Sequence, residues 1–88
     1  MRNISIIFMD ILAILNSHKY KYDINQELIL SIESLTSSMT YAAPEVLNTN
    51  LYFIKLGRVL NTHISKEDYE NQEKPWAKQI IDIFYKFF

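Results

Sequence analysis

The sequence predicts an all-α protein, an antiparallel four-helix bundle with its fourth helix kinked or broken near Pro75. Three observations predict it. Apolar residues recur at helical spacing in four segments, and helix-start signals precede several of them. The chain has only one glycine and two prolines, whereas a sandwich or barrel needs many tight turns. A hydrophobic share of 49% is that of a globular chain rather than a disordered one. At 88 residues there is room for a single helical domain, residues 1–88, with one modest core.

The first helix is expected over Asn3 to Ser17. Asn3, Asp10 and Ser17 fall seven apart and share a narrow polar stripe, with Ala13 beside it. Ile7, Phe8, Ile11, Leu12, Ile14 and Leu15 then face apolar neighbours, as in a central core helix. The apolar run Ile4–Leu15 is interrupted by Asp10, lacks a small-x-small cleavage site and is shorter than the ~20 residues of a membrane span. It reads as a buried helix, with an uncleaved anchor as the alternative. In the following His18–Tyr22, cations at a helix C-terminus favour the dipole and can satisfy its last carbonyls. Contact of these residues with a lipid headgroup or phosphate is the alternative.

Asp23 is the expected cap of the second helix, with Gln26 as its capping-box partner. Leu28, Ile32, Leu35 and Met39 form one apolar face, and the stretch Thr36–Thr40 frays into a loop. The third helix is expected from near Pro44, a residue suited to a first helical position, to about Asn61. Asn48, Lys55, Arg58 and Thr62 make its wet face. Val46, Phe53, Gly57 and Leu60 lie opposite, where Gly57 either permits a close helix crossing or has no packing role.

The fourth helix opens at Ser65, with Asp68 reaching back in a capping box and Ile64 and Tyr69 placed as a hydrophobic staple. Pro75 removes an amide bond and pushes Lys74 from helical angles, hence the kink or break. Beyond it Trp76, Ile80, Phe84 and Phe87 make one face, and Lys78, Asp82 and Lys86 the other. Largely buried positions are expected to include Phe8, Leu12, Leu15, Leu28, Ile32, Leu35, Phe53, Leu60 and Ile80. Tyr85, Phe88 and part of Trp76 remain as aromatic anchors for a partner, since such rings suit protein interfaces and the membrane–water boundary. The other reading is that these rings only complete the core.

The residue types speak against an enzyme. Without cysteine there is no thiol catalysis or thiolate metal site, which also fits a reducing compartment. His18 and His63 have no second ligand at helical spacing, so no metal site and no cofactor are expected. The acidic residues Glu67, Asp68, Glu70 and Glu73 read as a solvated helix start. Serines 31, 34, 37 and 38 lack a base or a nucleophile elbow. A formal net charge of −1, with Lys55 and Arg58 as the only cations of a would-be recognition helix, argues against nucleic acid.

The helix around LNTNLYFIKLGRVLN leads through a HIS corner into SKEDYENQEKPWAKQIIDIF. With the preceding DINQELILSIESLTSS, this resembles the immunity proteins of class IIa (pediocin-like) bacteriocins over about Asp23 to Phe84. The resemblance lies in helix pattern, corner and length, and it fixes no functional side chain. It implies a cytoplasmic four-helix bundle, either free or membrane-associated, that protects a bacteriocin producer. The implied partner is the bacteriocin-bound membrane permease of the mannose phosphotransferase system, with peripheral membrane contact, and the C-terminal half sets which bacteriocin is recognised. A small helical inhibitor or adaptor, such as a phage-encoded one, and a structural homo-oligomer subunit are the alternative functions.

Overall fold

Asparagine side chains start the first three helices of this chain. The computed structural model describes residues 3–43 and 47–86. In it Asn3 Oδ1 accepts from the Ser5 amide at 2.8 Å and opens α1, Ile4–His18. Asn25 accepts from the Glu27 amide, also at 2.8 Å, and opens α2, Gln26–Thr40. Asn48 accepts from the Leu51 amide at 3.0 Å and opens α3, Thr49–His63. Each cap satisfies an amide that lacks an intrahelical partner.

Two helix starts therefore differ from the expectation. Asp23 is not the cap of α2, and Gln26 is its first residue rather than a capping-box partner. The physical reason lies in Ile24, which is buried and occupies the residue before the cap, while Ile29 four positions into the helix is buried as well. That spacing is a hydrophobic staple, which sets the entry of the chain two residues later than Asp23 would. The same device works at α3, where Leu47 packs on the core before the cap and Tyr52 is buried after it. Leu47 and Asn48 are non-helical, so α3 begins later than Pro44; Pro44 and Val46 themselves lie outside the described residues. Asn48 is a cap and not part of a wet helical face.

Five helices, not four, make up the described residues, and no strand is found among them. The expected break at Pro75 is complete. α4, Lys66–Glu70, ends before it, and α5, Pro75–Lys86, starts anew with proline at its first position, where no amide is needed. Between them the Asn71 side chain accepts from the Glu73 amide at 2.8 Å, and the Asn71 carbonyl from the Lys74 amide at 3.0 Å.

Helix α1 packs against α2, α3 and α5, α2 against α3, and α4 against α5. The buried set joins Ile4, Ile7, Phe8, Ile11 and Leu15 of α1 to residues of α2, α3 and α5. Phe8, Leu15, Leu28, Ile32, Leu60 and Ile80 are buried as expected; Leu12, Leu35 and Phe53 are only half-buried at the edge of the core. The sequence reading missed Tyr52 and Leu56, which carry the inner face of α3. Helix α1 is also less enclosed than its composition suggests. Its outward face is centred on Ile6 and Met9, 46% and 62% exposed, rather than on the Asp10 stripe. After α1, backbone amides of Lys19, Lys21 and Tyr22 close the last carbonyls, while the Lys19 and Lys21 amines lie over the Tyr20 and Tyr22 rings. The lysine side chains thus do not serve as the expected carbonyl caps.

Candidate functional site

The corner between α3 and α5 is built by the residues that start α4. Ser65 Oγ accepts from the Asp68 amide at 3.1 Å, and the Asp68 carboxylate accepts from the Ser65 amide at 3.0 Å, the reciprocal pair expected from the sequence. The second carboxylate oxygen accepts from Lys74 Nζ at 2.6 Å and so ties the start of α4 to the residue before α5. The Lys74 ammonium first, and the Ser65 amide second, hold the Asp68 carboxyl below its ordinary range.

A second clamp joins the two short helices. The Tyr69 hydroxyl donates to Asp82 Oδ1 at 3.2 Å, Lys78 Nζ donates to Asp82 Oδ2 at 2.7 Å, and the Lys78 amine lies 5.6 Å above the Tyr69 ring. Lys78 lowers the Asp82 pKa, and Asp82 raises that of Lys78. Both carboxyls are shifted further from neutral pH, which makes them weaker proton acceptors for acid–base work.

These clamps hold open a cleft of about 320 Å³ between the α3–α4 corner and α5. Ile64, Ile81, Tyr69 and Tyr85 line it together with the polar Asn61, Ser65, Lys66 and Glu70. Tyr85 is 62% exposed. Its ring meets Phe84 edge-on at 5.6 Å, and Phe84 stacks on Phe53 at 4.6 Å with the planes 5° apart. The outward ring thus stands on an aromatic column anchored in α3. A cleft lined in part by two isoleucines and an exposed tyrosine suits an apolar side chain of a partner, with the phenol at the wet edge.

Of the described residues expected to contact a partner, Tyr85 is exposed and Trp76 is not. Trp76 is 5% exposed and belongs to the core with Ala77 and Ile80. The anchoring role assigned to it is therefore corrected: in the first turn of α5, it lies on the buried face of the helix. Phe87 and Phe88 lie outside the described residues. The sequence reading did not see that Ile81 and the corner residue Ile64 would meet Tyr85 in one cleft. Staple position for Ile64 and four-residue spacing for Ile81 and Tyr85 were the available signals.

Among the described residues no group of three or more His, Cys, Asp or Glu side chains could hold a metal ion. No helix among them is long and apolar enough to cross a membrane. Compared with protein-family models, curated proteins and solved structures, the chain matches none.

Proposed function

We propose that the protein works by binding another protein through the corner cleft, as an immunity protein against a pediocin-like bacteriocin. In this reading α1, α2, α3 and α5 are the arms of an antiparallel bundle, and α4 is the turn that shapes the cleft. The partner is the bacteriocin-bound permease of the mannose phosphotransferase system, met from the cytoplasmic side of the membrane. The observation that carries a binding role is Tyr85, 62% exposed and packed edge-on to Phe84 beside a cleft of mixed polar and apolar lining. The resemblance of residues 23–84 to the immunity proteins supplies the identity of the partner. A small helical inhibitor of some other protein would use the same surface.

The test is expression in a bacteriocin-sensitive strain challenged with a panel of pediocin-like peptides. Protection against at least one peptide is expected, and Tyr85→Ala should remove it with little change in melting temperature. Killing by every peptide at full expression would remove the immunity reading. Protection that survives Tyr85→Ala would instead remove the cleft from it.

A further inference from the structure

A second surface, separate from the Tyr85 cleft, lies between α2 and α3. A shallow groove of about 490 Å³ there has an apolar floor of Leu30, Leu35 and Val59, with Ser31 and Ser34 on one bank. Lys55 and Arg58 form the other bank. Leu30 is 53% exposed, and the apolar surface continues along α3 through Leu51 and Ile54, 43% and 51% exposed. Among the described residues no carboxylate lines the groove. Neither cation forms an ion pair with a described residue; the ion pairs found are those of Lys74 and Lys78. Lys55 Nζ lies 5.4 Å above the ring of Tyr52, whose hydroxyl is bonded to Ser38 of α2 at 2.6 Å.

From this charge pattern we infer that the α2–α3 groove docks an acidic amphipathic helix of a partner protein, its apolar face on Leu30, Leu35 and Val59 and its carboxylates on Lys55 and Arg58. The two cations are three residues apart on one helix, a rise of about 4.5 Å. Carboxylates one turn apart on a partner helix present the same spacing. Arg58 can take a carboxylate in bidentate fashion, and an amphipathic partner helix can lay its apolar face along the exposed Leu30. A membrane surface fits less well. Each lysine or arginine near an anionic bilayer contributes about 1 kcal/mol, so two give weak attachment. The net charge of −1 gives no long-range attraction for an acidic partner, so the selectivity is local to this bank. The inference does not depend on the immunity reading.

The test uses a fluorescein-labelled helical peptide of about 16 residues, with Leu at i, i+3, i+4 and i+7 and Glu one turn apart beside them. A matched peptide carries Gln for Glu. Fluorescence anisotropy with the full chain should show saturable binding of the Glu peptide that weakens with salt, and at least about tenfold weaker binding of the Gln peptide. Lys55→Glu with Arg58→Glu should abolish binding, and Leu30→Asn should weaken it. Lys19→Glu with Lys21→Glu, an equal change of charge at the end of α1, should leave it intact. Should the charge reversal lower the melting temperature, Lys55→Gln with Arg58→Gln takes its place under the same expectation. Equal binding of both peptides, equal loss in both charge-reversed pairs, or no binding of the Glu peptide would overturn the inference. So would finding that Lys55→Glu with Arg58→Glu abolishes binding to phosphatidylglycerol vesicles or self-association while peptide binding persists.

Discussion

The ring of Phe84 covers Gly57 so closely that a methyl group there would lie 3.3 Å from Phe84 Cζ. The sequence placed Gly57 on the apolar side of α3 and left open whether it permitted a close contact. The contact exists, and its partner is a side chain rather than the backbone of another helix. Alanine in place of glycine favours a helix interior by about 1 kcal/mol. Phe84 and the Phe53 ring it stacks on are both half-buried, so the rings can yield the small distance a methyl requires. Gly57→Ala is therefore expected to be neutral or to stabilise by up to about 1 kcal/mol. Gly57→Leu should cost about 1–3 kcal/mol through overpacking, and part of that should return in combination with Phe84→Ala. Chemical denaturation of the variants measures both; a stabilising Gly57→Leu would show that Phe84 does not occupy this place.

The start of α2 separates two residues of similar capping strength. Asn25 holds the Glu27 amide, and Asp23 stands two residues outside the helix. Asn25→Ala should cost about 1 kcal/mol, while Asp23→Ala should stay within about 0.5 kcal/mol of the parent. The reverse order in urea denaturation would restore Asp23 as the cap.

Periodic spacing made the helices legible, since Leu28, Ile32 and Met39 lie on one face whatever the tertiary arrangement. Pro75 and the Ser65–Asp68 pair were equally legible, because their chemistry acts within a few residues. What could not be read was the choice between neighbouring candidates that depends on packing. Ile24 and Ile29 decide for Asn25 over Asp23 only once both are buried. Trp76 and Tyr85 look alike as interface residues, and the docking of α5 turns one inward and the other outward. The cleft needed Ile64 and Ile81, from different helices, to come together. Lys55 and Arg58 were seen as a wet face, but that Leu30 and Leu35 of another helix line the same groove has no signal in local spacing.

Acid should act on the α4 corner through Asp68. Its carboxyl is lowered from 3.8 in the folded protein, so its contribution is fully present above the unfolded value of about 3.9 and is lost as pH falls through the folded value. Asp68→Asn should thus be less stable than the parent at neutral pH, and the difference should shrink below pH of about 4. Lys74→Ala should act in the same direction, because Lys74 is the largest cause of the shift. Melting temperatures of the three proteins across this range give the result; a difference that grows in acid would contradict the assignment.

The hydroxyl of Tyr52 meets Ser38 Oγ at 2.6 Å and forms a side-chain bridge between α2 and α3. Tyr52 is 9% exposed, so its ring is held in the core while its hydroxyl reaches the more exposed serine. Removing one partner of such a bond costs about 0.5–1.5 kcal/mol. Tyr52→Phe and Ser38→Ala are each expected in that range, with Tyr52→Phe the milder because Ser38 can turn to water. The two losses share one bond, so the double variant should be no more than slightly worse than the poorer single variant. Full additivity in a double-mutant cycle would mean that the two hydroxyls contribute separately. The same bond positions the ring beneath Lys55, so Tyr52→Phe gives a further reading at the groove. With the phenol gone but the ring kept, binding of the acidic peptide should fall only modestly. Loss as complete as that from reversing Lys55 and Arg58 would mean that α2 and α3 have shifted apart, and a drop in melting temperature should then accompany it.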